Sequence, residues 1–203
     1  GASGDVGRRI ATELLDRGHA VTGVSRSGAI DDAAFDVAEG DATDPDVVAD
    51  LAAGHDAVVS AVGPSDGDPD VLRETARALV SGLRAAGVDR LVVVGGGGTL
   101  EIEPGQDLVD TEDFPDEVRP ASEAHRDALH HFQAEADDLD WTFLAPPIVL
   151  TPGERTGQYR TGTRQLLFDD EGESHISMED LAVALVDELE SAEFLHEHMT
   201  AAY

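Results

Sequence analysis

The sequence predicts a single α/β domain, built as a doubly wound parallel sheet with helices on both faces. The first observation behind this prediction is an alternation of short apolar runs, typical of buried strands, with amphipathic helical segments. The second is that residues 1–203 contain no internal repeat and no low-complexity linker that would mark a domain boundary. We therefore treat the chain as one domain.

The elements can be justified in chain order. Val6, Ile10 and Leu14 recur with helical spacing and Gly18 follows as a stop signal, which predicts a helix over residues 5–17. The same reasoning predicts further helices at 45–53, 70–86, 122–139 and 178–189. Apolar runs predict strands at 19–25, 35–38, 56–62, 90–94 and 141–145, and the start of another at 199–203. Segments 95–120 and 148–175 look irregular and follow strand ends, where open α/β sheets bind ligands, so we expect substrate-pocket loops there.

The first seven residues, GASGDVG, form a G-x-x-G-x-x-G loop that opens the first helix. In such a loop one glycine permits a tight turn, one lets the backbone approach a pyrophosphate, and one packs helix against strand. The backbone amides at the helix start then donate hydrogen bonds to the phosphate oxygens. This predicts a Rossmann-type dinucleotide site; the alternative is a glycine-rich turn without ligand. The predicted contacts are Gly1, Ser3, Gly4, Asp5, Val6 and Gly7.

A dinucleotide-binding unit has a hydrophobic strand directly before its first glycine. The sequence starts at that glycine, so we expect a strand upstream of Gly1 that completes the centre of the sheet.

Arg26 follows the second predicted element, the strand at 19–25. An acidic residue at this position hydrogen-bonds the ribose hydroxyls of NAD, whereas an arginine pairs with the 2′-phosphate of NADP. Arg26 therefore predicts that NADP(H) is preferred over NAD(H). The alternative is an arginine that is merely solvated at the surface.

The charge balance excludes several classes of partner. The chain has 43 acidic and 13 basic residues, all of the latter arginine, and a net charge of -30, so neither nucleic acid nor an anionic membrane is expected as a partner. An acid-rich, lysine-free composition is typical of proteins from salt-accumulating halophiles. The absence of cysteine excludes disulfides and thiolate chemistry. Because we find neither a signal sequence nor a long apolar run, we expect a cytoplasmic protein.

Several blocks in order resemble the atypical and extended short-chain dehydrogenase/reductases, a superfamily related to the epimerase/dehydratase, NmrA-like and biliverdin reductase B-like groups. The blocks are GASGDVG, GDATDP at 40–45, DAVVSAVG at 56–63, RLVVVGGGG at 90–98, LDWTFLAPP at 139–147 and HISMEDLAVALVDELE at 175–190. The resemblance implies cofactor contacts in three places, although core packing explains the apolar members equally well. These are Asp41 and Ala42 at the adenine, Ser60, Ala61, Val62 and Gly63 at the riboses, and Pro146, Pro147 and Ile148 at the nicotinamide.

The sequence departs from this superfamily at the catalytic centre. The usual Tyr-x-x-x-Lys pair is absent, because the chain has no lysine and its tyrosines, Tyr159 and Tyr203, lie off the corresponding helix. Thr99 and His125 are weak candidates for a catalytic role, and His125 is more readily explained as a surface residue of an amphipathic helix. Candidate substrate contacts are Glu101, Arg155 and Tyr159. No metal site is expected, since the His196 and His198 pair lacks further ligands.

These observations leave three functional hypotheses. The first is an NADP(H)-dependent reductase that passes hydride to a small acceptor, such as a flavin, a quinone or an enone, without a tyrosine acid. The second is a non-catalytic NADP(H) sensor of the NmrA-like kind that acts on a protein partner. The third is a nucleotide-sugar epimerase or dehydratase, which the short C-terminal region disfavours. The sequence predicts neither the substrate's identity nor an oligomeric state.

Overall fold

The computed structural model describes residues 1–64 and 67–203. Within them the α-helices are α1 Asp5–Asp16, α2 Pro45–Ala52, α3 Asp70–Ala86, α4 Arg119–Glu135 and α5 Met178–Ser191. The strands are β1 Thr22–Ser25, β2 Asp36–Glu39, β3 Ala57–Ser60, β4 Arg90–Val94, β5 Glu101–Glu103, β6 Gln106–Asp107, β7 Asp140–Ala145, β8 Val149–Thr151, β9 Arg160–Gly162, β10 His175–Ser177 and β11 Glu197–Ala202. The alternation of strand and helix is the predicted one.

The largest sheet has five strands in the order β3-β4-β7-β11-β9. All its pairs are parallel except β11 with β9, which is antiparallel. The central strands β4 and β7 are largely buried, as their apolar sequences require of a sheet covered on both faces. The predicted doubly wound α/β fold is confirmed.

Helices cover this sheet on two sides. Side chains of α2, α3 and α4 pack with Leu91, Val93 and Phe143 in one apolar cluster. Side chains of α1 and α5 pack with Val92, Leu144 and Met199 in another. Neighbouring residues of β4 and β7 thus point to opposite layers, as the pleat of a strand dictates.

Side chains fix two helix starts that the sequence also predicts. The carboxylate of Asp44 accepts hydrogen bonds from the amides of Asp46 and Val47, at 2.9 and 3.4 Å, where α2 begins. The hydroxyl of Ser177 accepts one from the amide of Asp180, at 2.9 Å, where α5 begins. The Asp44 cap starts α2 at the end of the turn after β2, and the Ser177 cap starts α5 directly after β10.

Strands β1 and β2 form a separate parallel pair. A cavity lies beside this pair and is walled by β1, β3, α1 and α2. The cavity runs to the carboxyl ends of β1 and β3, where the glycine loop lies.

The long segments predicted to be irregular contain more structure than expected. A small hairpin, β5 with β6, follows β4, and β8 pairs in parallel with β10. Short two- and three-residue strands of this kind carry too few residues to show a periodicity in sequence. Within the described ranges, no helix is both long enough and apolar enough to cross a membrane.

Candidate nucleotide-binding site

The glycine loop packs backbone against backbone. A Cβ added to Gly1 would lie 2.2 Å from the carbonyl oxygen of Ala61, after β3, and one added to Gly7 would lie 2.1 Å from the carbonyl oxygen of Gly1. The amide of Gly4 donates to the carbonyl of Gly1 at 3.1 Å, which closes the turn. Glycine is required at positions 1 and 7 because no side chain fits there.

The start of α1 has no side chain to cap it. Gly4 is the N-cap residue in an extended conformation, with φ -76° and ψ 166°, and supplies no side-chain oxygen to the first-turn amides. A helix start without a side-chain cap offers an anion free N–H donors and the positive end of the helix dipole. The geometry therefore fits a nucleotide diphosphate.

The cavity brings together most of the cofactor contacts predicted from sequence. Those that line it are Gly1, Ser3, Gly4, Gly7, Arg26, Asp41, Ala42, Ser60, Ala61, Val62 and Gly63. Five predicted contacts are outside the lining. Asp5 is the first residue of α1, Val6 packs against the apolar cluster formed by α1 and α5, and Pro146, Pro147 and Ile148 follow β7. Sequence reasoning missed Ala2, Thr43 and Pro64, which line the cavity and directly adjoin the predicted motifs.

Arg26 and Asp41 lie at the carboxyl ends of β1 and β2, where both line the cavity. The Asp41 carboxylate accepts hydrogen bonds from the amide and the hydroxyl of Thr43, at 3.0 and 2.8 Å. These bonds, together with the charge of Arg26, lower the pKa of Asp41. The carboxylate therefore stays ionised and shapes its turn, while the exposed guanidinium of Arg26 adds positive charge to this edge of a strongly anionic molecule.

A second glycine segment, Gly95–Gly98, follows β4. Here an added Cβ would meet side chains: Phe143 at 2.0 Å from Gly95, His125 at 2.7 Å from Gly96 and Ser122 at 2.6 Å from Gly98. At Gly97 it would meet the carbonyl oxygens of Pro146 and Pro147, at 2.8 and 3.2 Å. The predicted nicotinamide contacts Pro146 and Pro147 thus lie beside this segment, whereas Ile148 is 54% exposed.

Thr99, a weak catalytic candidate, has its hydroxyl committed to other groups. The hydroxyl donates to the carbonyl of Gly96 at 2.8 Å and lies 3.1 Å from Nε2 of His198. Thr99 and His198 are both buried, and burial lowers the pKa of His198 to about 4. This pair fixes the turn after β4, and sequence reasoning missed it because the two residues are remote in the chain.

His125, the other catalytic candidate, does not lie on the surface as expected. Its ring is half-buried over Gly96 and makes an edge contact with Phe143, with centroids 6.4 Å apart. Burial lowers the pKa of His125 to about 4, so the imidazole is neutral at physiological pH. The surface interpretation is wrong because this face of α4 packs on the ends of β4 and β7.

The three substrate contacts predicted from sequence are held by structural partners. Glu101 is 7% exposed and pairs with Arg164 at 2.5 Å. Arg155 makes two bonds to the buried carboxylate of Glu13, at 2.7 and 2.8 Å. The hydroxyl of Tyr159 donates to Asp187. None of the three lines the cavity, so their role in substrate binding stays a prediction. Across residues 1–64 and 67–203, no group of three or more His, Asp or Glu side chains is placed to hold a metal ion.

Comparisons with known proteins agree with this geometry. A family model described as NAD(P)H-binding matches residues 1–192. A candidate exported protein from Burkholderia pseudomallei is 48% identical, with a TM-score of 0.93 over 100% of this chain and 97% of that one. A candidate epimerase from Bacteroides thetaiotaomicron is 36% identical, with a TM-score of 0.90 over 100% and 94%. A candidate NADH-flavin reductase from Streptococcus pneumoniae is 32% identical, with a TM-score of 0.85 over 99% and 95%.

Proposed function

Because this chain belongs to the NAD(P)H-binding family, we propose that it is an NADP(H)-dependent reductase of a small acceptor. The observation that carries the proposal is the cavity in which the glycine loop, Arg26, Asp41 and the segment Ser60–Gly63 come together. The uncapped start of α1 supplies amide donors for the diphosphate. These donors matter here because a molecule with a net charge of -30 otherwise repels a nucleotide.

The preference for NADP(H) rests on Arg26. Arg26 lines the cavity at the end of β1, where a dinucleotide-binding fold carries the residue that contacts the adenosine ribose or its 2′-phosphate. Arginine binds a phosphate through two parallel N–H donors, which is why it favours the 2′-phosphate. The name of the Streptococcus pneumoniae relative specifies NADH, so the two nucleotides must be compared directly.

The bound nicotinamide would supply a hydride, and the protein's own residues would position the acceptor and exclude water. The Thr99 hydroxyl is committed to Gly96 and His198, so it is not an available proton donor. We therefore propose acceptors whose reduced form takes its proton from solvent, namely flavins, quinones and enones. We also propose that the acceptor is a small molecule and that the protein acts in the cytoplasm. The acidic composition favours activity at high salt concentration.

The experiment is an NADPH oxidation assay in molar KCl with FMN, menadione and an aromatic enone, followed at 340 nm. We expect turnover with at least one acceptor and a lower rate when NADH replaces NADPH at equal concentration. Absence of turnover with every acceptor, in protein that binds NADPH, contradicts the enzymatic part of the proposal.

A second candidate is a non-catalytic NADP(H) sensor. Two observations favour it: the Thr99 hydroxyl already donates a hydrogen bond to the carbonyl of Gly96, and the sequence contains no lysine. A sensor would distinguish oxidised from reduced nucleotide in affinity and would change its binding to a protein partner accordingly. Equal affinity for NADP+ and NADPH, combined with turnover of an acceptor, would eliminate this candidate.

A further inference from the structure

We infer that His125 binds the acceptor by donating one imidazole N–H to a carbonyl oxygen of that acceptor. This inference deepens the proposed function and rests on it for the source of the hydride. It assigns the acceptor a chemical class: a conjugated ring system with a carbonyl group. It also makes His125 a hydrogen-bond donor, and not the acid that delivers the proton.

The position of His125 supports this role. Its ring covers Gly96, two residues beyond the carboxyl end of β4. Strand β4 pairs with β3, whose carboxyl end opens into the cavity at Ser60–Gly63. Gly97, the residue after Gly96, approaches the carbonyl oxygens of Pro146 and Pro147, which the superfamily resemblance places at the nicotinamide. An acceptor that receives hydride from a nicotinamide bound there would lie beside this turn.

The surroundings leave the ring nitrogens available. Within the described part of the chain, His125 makes an edge contact with Phe143 and approaches Gly96, and neither of its ring nitrogens has a hydrogen-bond partner. Neither nitrogen is among the polar atoms that are fully buried without a partner. A half-buried imidazole without a protein partner is a polar group prepared for a ligand.

The protonation state fits a donor that keeps its proton. Burial holds the pKa of His125 at about 4, so the ring is neutral near pH 7 and carries one N–H. In the reduction, a C–H bond of the dihydronicotinamide breaks and its electron pair forms a new bond to the conjugated acceptor. Negative charge then develops on the acceptor's carbonyl oxygen, where the His125 N–H stabilises it until water protonates it.

The test compares two substitutions of His125 with a control on the same helix. His125→Phe retains a ring but removes the donor, whereas His125→Gln retains an N–H donor. His130→Phe changes an exposed histidine five residues along α4 and serves as the control. For each protein we would measure folding by thermal melting, the Kd of NADPH, the equilibrium binding of FMN and menadione in the presence of NADP+, and the turnover of both acceptors.

We expect His125→Phe to weaken acceptor binding or to lower kcat/KM about tenfold, the scale of one hydrogen bond to a charged oxygen. His125→Gln should stay within about threefold of wild type, since it keeps the donor, and the Kd of NADPH should be unchanged in both variants. His130→Phe should behave as wild type.

Unchanged acceptor binding and turnover in His125→Phe overturns the inference, and so does equal loss in both His125 variants. Wild-type protein that binds NADPH but neither acceptor also overturns it, while leaving the cofactor site intact. Wild-type protein that binds no pyridine nucleotide instead contradicts the proposed function. In that case, acceptor binding compared between wild type and the two His125 variants still tests the role of His125.

Discussion

The two glycine segments of this protein differ in what excludes a side chain. In the first segment, Gly1–Gly7, the obstacles at Gly1 and Gly7 are backbone carbonyl groups. In the second, Gly95–Gly98, the obstacles at Gly95, Gly96 and Gly98 are the side chains of other elements. The first arrangement brings the loop from Gly1 to Gly4 to the cavity, at the uncapped start of α1. The second arrangement fills space and holds Phe143 and His125 against the end of β4.

This difference teaches that glycine serves two purposes at the same edge of one sheet. In the first segment Gly1 and Gly7 let backbone pack against backbone, and in the second segment glycine lets core side chains approach the backbone. A substitution at Gly4, where a Cβ fits, should therefore affect nucleotide binding, whereas one at Gly95 should affect folding. The predictions below separate these two effects.

The largest effect is expected for Gly95→Ala. The added Cβ would lie 2.0 Å from the fully buried ring of Phe143, which has no room to move in a close-packed core. We expect the free energy of unfolding to fall by about 3 kcal/mol, measured by denaturant unfolding in molar KCl. The control is Gly63→Ala, because nothing lies within 4 Å of a Cβ at that position. Equal stability of the two variants contradicts the packing role of the second segment.

A smaller effect is expected for Arg26→Asp, which removes the cation from the end of β1. NADPH binding should weaken by roughly 1.5–3 kcal/mol, the strength of a charged hydrogen bond, and NADH binding should be spared. Arg77→Asp makes the same change in net charge at an exposed position of α3 and is the matched control. Titration calorimetry with both nucleotides measures the difference. Equal loss for NADPH and NADH shows that Arg26 does not bind the 2′-phosphate.

Gly4→Ala separates binding from folding within the first segment. Its Cβ would make only ordinary contact, at 3.4 Å, with the carbonyl oxygen of Gly1, and its φ of -76° suits alanine. The unfolding free energy should fall by no more than about 1 kcal/mol, mainly because alanine is a less favourable N-cap than glycine. The methyl group would nevertheless stand where the diphosphate approaches, so NADPH affinity should fall about tenfold. A variant that binds NADPH as tightly as wild type indicates that the diphosphate does not contact this loop.

The smallest expected effect is a pH dependence of stability caused by His198, which contacts Thr99 beside the second segment. Burial lowers the pKa of His198 from 6.5 to about 4, so the unfolded chain binds more protons between these two values. The stabilising contribution is complete above pH 6.5 and is lost as the pH falls towards 4. Over one pH unit inside this window, His198 should change the unfolding free energy by about 1 kcal/mol.

Comparison of wild type with His198→Gln isolates this contribution, because the many carboxylates titrate alike in both proteins. His130→Gln, at an exposed position, should leave the slope of stability against pH unchanged. If the unfolding free energy depends on pH in the same way in wild type and in His198→Gln, the pKa of His198 is not lowered in its buried contact with Thr99.

The sequence predicts the order of the elements and the first glycine segment because both depend on neighbouring residues. The caps Asp44 and Ser177 and the loop GASGDVG are local signals of this kind. The surroundings of the second segment come from contacts that are distant in sequence. His125 reaches Gly96 from another helix, and His198 reaches Thr99 from the last strand.

The same reason explains the substrate contacts. Arg155 follows a strand end, as a pocket residue would, but its partner Glu13 lies on α1 at the other end of the chain. Only the packing of α1 beside the segment after β8 brings the two together. The local sequence gives no indication that the buried carboxylate of Glu13 lies between Arg155 and Arg17.

The most direct test of the central claim is a calorimetric titration of the intact wild-type protein with NADPH and with NADH in molar KCl. We predict saturable binding of one NADPH per chain, at least tenfold tighter than that of NADH, because Gly4 at the uncapped start of α1 and Arg26 line the same cavity. Protein that is folded by thermal melting yet gives no binding heat and no saturation with either nucleotide would contradict the assignment of the glycine loop.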